Sequence, residues 1–148
     1  WMLREEAVHN QSIVDKIFRF WELCIEMIKG REERFPKVLS KLSLLAVYVK
    51  ELNNKAVNLL VHVAPFIDED YNSTFFLEEL NRLCKVNAEA VAQIARAMFA
   101  RFRPLYPDDD LISLVRCLYS SNQKEAANFV CDRMKEFPAI RAIYGEFN

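Results

Sequence analysis

Residues 71–120 read YNSTFFLEELNRLCKVNAEAVAQIARAMFARFRPLYPDDDLISLVRCLYS, and within this stretch the chain repeats itself. Tyr71 and Tyr106 lie 35 positions apart, each followed by a polar corner and then an apolar pair. Phe76, Leu77, Leu80 and Leu83 reappear at that offset as Leu111, Ile112, Val115 and Leu118. In both copies the apolar residues fall at the spacing of one helix face. Between them Val91, Ile94, Ala95, Met98, Phe99 and Phe102 make a further stripe of the same kind. Helices joined by short polar corners therefore account for the whole stretch.

The pattern extends outward. At an offset of 34, Asn53, Ala56, Val57 and Leu60 become Asn87, Ala90, Val91 and Ile94, and about 35 further on come Asn122, Ala126 and Phe129. Helix pairs over 55–85 and 87–120 thus look like copies, a third pair covers 122–147, and a longer pair over 12–52 precedes them. Ser12 reads as the N-cap of a first helix ending near Ile28, with Ile13, Ile17, Phe20, Trp21, Cys24 and Ile28 on its main face. Val14, Phe18 and Ile25 widen that stripe, leaving a polar edge at Asp15, Arg19, Glu22 and Glu26. Gly30 ends this helix, because it can take the left-handed conformation there. Pro36 suits the first position of a second helix running to Leu52. Asn87 and Asp108 cap the fifth and sixth helices, Asn122 opens the seventh, and Pro138 starts a short last helix expected to fray.

Composition agrees. Hydrophobic residues make up 52% and charged residues 28% of 148 residues, which suits a packed globule rather than a disordered chain. Only 2 Gly and 5 Pro are present. A β-sandwich or α/β sheet of this length needs many tight turns with φ > 0, which glycine usually supplies. The sequence therefore predicts a single all-α domain over 1–148: antiparallel helix pairs stacked as a short right-handed α-solenoid of seven or eight helices. An irregular helical bundle is the alternative. The pattern resembles HEAT-type repeats, pairs of antiparallel helices that stack into a curved superhelix. Tetratricopeptide repeats share the period, but the small-residue signature of their first helix is missing. The resemblance implies architecture alone and assigns no residue a role.

Several functions find no residues to carry them. His9 and His62 are isolated, with no nucleophile or orienting acid patterned around them. No glycine-rich phosphate loop, zinc spacing or paired E-x-x-H is present. Asp108, Asp109 and Asp110 fall where a helix starts, and there carboxylates cap free N–H groups. The sequence thus predicts no enzyme, no cofactor and no metal. Cys24, Cys84, Cys117 and Cys131 are too dispersed for a metal pattern and read as buried structural thiols, in keeping with a reducing, cytoplasmic setting. The longest apolar run, Leu44 to Val49, is far short of the about 20 residues of a membrane span. Arg4, Glu5 and Glu6 speak against a leader peptide. A first residue of Trp1 suggests a fragment of a longer polypeptide.

What remains is surface. The first two helices carry more apolar residues than one antiparallel partner can cover, with Leu44, Val47 and Tyr48 turned away from the main face of the second. Trp1 adds to this greasy end. The fifth helix carries a basic edge at Arg96, Arg101 and Arg103, although the net charge of −1 predicts no general affinity for nucleic acid. The expectation is an interaction or scaffold module that binds a protein, a peptide or other domains of its own polypeptide. A nucleic-acid or phosphoprotein partner at the arginine edge is the less favoured alternative.

Overall fold

The computed structural model describes residues 11–43, 52–67 and 71–148. Eight α-helices and no strand occur among them: α1 (Gln11–Ile28), α2 (Pro36–Ser43), α3 (Asn54–Val63), α4 (Tyr71–Cys84), α5 (Ala88–Phe99), α6 (Asp109–Ser120), α7 (Lys124–Arg133) and α8 (Pro138–Phe147). Short 3₁₀ turns lie at Glu32–Arg34 and Ala64–Phe66. The chain is all-α. Leu44 to Val49, the rest of the second helix's expected span up to residue 51, and Trp1 lie outside the described residues.

The corners form for local reasons. Gly30 sits at φ 75°, and the Arg31 N–H donates to the Ile28 carbonyl at 2.8 Å, closing α1 as its sequence predicts. The side-chain oxygen of Asn53 accepts from the Ala56 N–H at 2.9 Å, and that of Asn87 accepts from the Ala90 N–H at 3.1 Å. These two N-caps, 34 positions apart, are the same bond made twice. Asp108 caps α6 in the same way through the Leu111 N–H at 2.9 Å. Asn122 does something else. It takes φ 61°, its N–H donates to the Tyr119 carbonyl, and the Gln123 N–H reaches the Leu118 carbonyl at 2.8 Å. It therefore closes α6 rather than opening α7, a role asparagine can fill because it tolerates the left-handed region.

Packing follows a rule of next-but-one. The most extensive contacts join α4 to α6, α5 to α7 and α3 to α5, with α1–α3, α2–α4 and α6–α8 continuing the series. Odd-numbered helices thus form one row and even-numbered helices a second. Between the rows lies one continuous core, with Trp21, Leu39, Leu60, Phe76, Leu80, Ile94, Met98, Phe99, Leu111, Leu118 and Ile140 fully buried. Polar ties run along the even-numbered row. The Asn81 side-chain amide donates to the Asp110 carbonyl at 2.7 Å, fixing α4 against the start of α6. Glu79 is buried and ion-paired to the Arg82 Nε at 2.7 Å.

Three further expectations need correction. In α1 the buried set is Val14, Phe18, Trp21, Ile25 and Ile28, whereas Phe20 is exposed and Ile13, Ile17 and Cys24 are half-buried. The widening residues Val14, Phe18 and Ile25 meet the core together with Trp21 and Ile28 of the assigned main face, and the rest of that face does not. Cys84 and Cys117 are not free thiols: they form a disulfide across α4 and α6, with Cα atoms 6.6 Å apart. Finally, α8 is held down rather than frayed. Ile140 and Ile143 are buried, the Phe147 ring stacks on Tyr119 at 4.6 Å, and Arg116 holds Glu146 at 2.9 Å.

Candidate interaction surface

Apolar residues occupy well over half the circumference of α1, and only part of that arc faces the core. Phe20, Leu23 and Met27, spaced at i, i+3 and i+7, are 59%, 48% and 72% exposed. Lys16 and Arg19 lie beside the stripe toward its start and Glu26 toward its end, while Glu22 lies farther round the helix. Glu22 is tied to Lys55 on α3 at 3.2 Å, and Glu26 to Lys29 at 3.3 Å. Three bulky side chains on one exposed face form a patch of the sort that marks a partner surface, unlike singly scattered apolar residues. Sequence reasoning located the surplus in the first helix but placed Phe20 inside. A stripe this wide does not reveal which side meets the neighbouring helices.

The opposite end of the helix rows is concave. A notch of about 390 Å³ opens between α7 and α8, lined by Cys131, Asp132, Lys135, Ile140, Arg141, Tyr144 and Gly145. Its floor is mainly apolar. Cys131 is buried there, its sulfur accepting from the Tyr119 hydroxyl at 3.7 Å. Burial pushes the Cys131 thiol above its ordinary range, so it stays protonated and unreactive near neutrality. A second cleft, about 360 Å³, lies between the starts of α3 and α5 and is lined by Asn54, Asn58, Asn87, Glu89 and Gln93 together with Leu52, Val57 and Ala90.

The three arginines of the expected basic edge go to three places. Arg96 lies 3.8 Å from Glu125 and over the Phe129 ring at 5.7 Å, toward α7. Arg101 grips both carboxylate oxygens of Glu33, at 2.6 and 3.0 Å, and stacks over Phe66 at 5.1 Å. That grip holds the Glu33 carboxyl below its usual range and raises the Arg101 guanidinium. Arg103 donates to the Phe99 and Phe102 carbonyls at 2.9 and 2.7 Å, closing α5. Partners 29 and 68 positions away in sequence explain why periodicity did not find them. Leu44, Val47, Tyr48 and Trp1 lie outside the described residues.

Chemistry is sparse elsewhere. His62 is half-buried, its Nε2 3.8 Å from Glu32. Among the described residues no group of three or more His, Cys, Asp or Glu side chains is placed to hold a metal ion. No described helix is long and apolar enough to cross a membrane. Comparison with protein-family models, curated proteins and solved structures returns no match.

Proposed function

We propose that this chain is a protein–protein interaction or scaffold module, built as a HEAT-like stack of helix pairs. The observation that carries the reading is the exposed apolar face of α1, three bulky side chains wide and flanked by charge. The repeated caps at Asn53 and Asn87, and the packing of each helix on its next-but-one neighbour, support the stacked architecture. A stack of this kind offers extended surfaces rather than one enclosed pocket. A nucleic-acid or phosphoprotein partner is less well supported, because Arg96, Arg101 and Arg103 diverge and already hold internal partners.

The test is comparative affinity capture with the tagged full chain and its Phe20→Glu/Met27→Glu variant, read by quantitative mass spectrometry. Both positions are exposed, so the variant keeps its helix content. A set of captured proteins that disappears with the variant is the expected result. An unchanged set would remove α1 as the working surface.

A further inference from the structure

We infer that the cleft between the starts of α3 and α5 binds an extended peptide segment through its main chain, with a basic side chain seated at Glu89. This site is separate from the α1 face and goes beyond the docking role proposed for it. The first two turns of both helices line the cleft, and its volume of about 360 Å³ falls in the range of ligand sites, about 300–1,000 Å³. Val57 and Ala90 are buried at its floor, while the exposed Asn54 and Asn58 form one wall and the exposed Glu89 and Gln93 the other. Among the described residues none of these four side chains makes a hydrogen bond or an ion pair. Asn58 stands in mid-helix, where asparagine is a poor helix former, and no internal bond of its side chain offsets that.

Spacing selects the occupant. Each carboxamide offers N–H donors and a carbonyl acceptor, the same pair that a peptide group presents. Asn54 and Asn58 are four residues apart on α3, and so are Glu89 and Gln93 on α5. Each pair therefore shares one helix face, about 6 Å apart along the axis. An extended chain brings its main-chain groups back to the same side every second residue, about 6.6 Å further on. A strand laid along the cleft thus meets both members of each wall in one register. Glu89 can only accept, and it is the one charged side chain among the described lining residues. The lysines and arginines of these two helices go elsewhere: Lys55 is drawn to Glu22 on α1 at 3.2 Å, and Arg96 lies 3.8 Å from Glu125. Lys85, in the corner before α5, stands outside the lining. A lysine or arginine of the bound segment supplies the missing charge at Glu89.

NMR spectra of the isotope-labelled full chain test this, because the side-chain NH₂ groups of Asn54, Asn58 and Gln93 report their own contacts. The probe is a pool of heptapeptides with lysine at the centre and Val, Ile or Thr elsewhere. A glutamate-centred pool and the lysine pool with methylated peptide nitrogens serve as comparisons. The lysine pool should shift all three NH₂ groups, and either change to the peptides should weaken binding by about tenfold or more. Asn58→Ala/Gln93→Ala should lose binding to the same extent with its fold intact, since alanine is the better helix former at both exposed positions. Glu89→Gln should bind the lysine and glutamate pools alike. The inference is overturned if the lysine pool leaves the three groups unmoved, if Asn58→Ala/Gln93→Ala binds as tightly as the unmodified chain, or if the methylated pool binds as well as its parent. Equal affinity of the unmodified chain for lysine and glutamate pools would overturn the seat at Glu89. None of these variants touches the α1 face, so capture by that face stands or falls separately.

Discussion

The assignment of the two faces of α1 makes a quantitative prediction about neighbouring phenylalanines. Phe18 is 4% exposed and stacks on Trp21 with ring centroids 5.9 Å apart, so Phe18→Ala opens a cavity in the core. Such truncations cost about 3–5 kcal/mol. Phe20 is 59% exposed. Burying a whole phenylalanine is worth about 1.5–3 kcal/mol, so the two-fifths that is covered contributes about 1 kcal/mol. Alanine's better helix propensity offsets about half of that at an exposed position. Urea unfolding of dilute protein, followed by circular dichroism, should separate the two variants by at least about 2 kcal/mol. In thermal unfolding each kcal/mol lowers the midpoint by about 2–4 °C for a chain of this size, so the difference is large against error. If Phe20→Ala destabilised the dilute protein as much as Phe18→Ala, the stripe would already be covered, and the docking argument would fail.

Other consequences are open to measurement. The Cys84–Cys117 disulfide closes a loop with a sequence separation of 33, for which the loop-entropy relation gives about 3–4 kcal/mol. Reductant should lower stability by that order and leave a Cys84→Ser/Cys117→Ser variant unchanged; equal stability with and without reductant would show the bond contributes nothing. The hydrogen bonds from Arg101 depress the Glu33 carboxyl, so its contribution is present above the ordinary carboxylate range and is lost as pH falls through the lower folded value. Glu33→Gln should therefore destabilise at neutral pH and converge with wild type in acid, weakly and with salt sensitivity because the pair is exposed. A constant difference across pH would contradict that link. Cys131, whose thiol is raised by burial, should alkylate more slowly than the half-buried Cys24 and need higher pH to react. Equal rates would mean the α7–α8 region is open in solution.

What was legible in the sequence was local. Gly30, Asn53, Asn87 and Asp108 mark their corners through bonds to residues within a few positions, so residue type and spacing suffice to find them. Asn122 was placed at the right corner in the wrong role, because asparagine serves both N-caps and left-handed closures. The buried faces expected for α4 and α5 are the ones observed; in α6 Leu111, Val115 and Leu118 are buried as expected, whereas Ile112 is half-buried and Leu114 and Tyr119 are buried instead. The stripe of α1 is so broad that periodicity cannot choose its buried side, and the choice fell on Phe20 instead of Phe18. The disulfide and the ion pairs of Arg96 and Arg101 depend on which helices become neighbours, a fact set by packing. The notch was invisible for the same reason: α7 and α8 contribute to it together, and neither carries a distinctive pattern alone.

The native methionines give the most direct test of an open α1 face. Met27 is 72% exposed on that face, while Met98 and Met134 are 0% and 1% exposed in the core. Brief peroxide oxidation of the unmodified chain, read residue by residue by mass spectrometry, should modify Met27 rapidly in dilute protein and leave Met98 and Met134 intact. A Met27 as resistant as Met98 in dilute protein would contradict the open face.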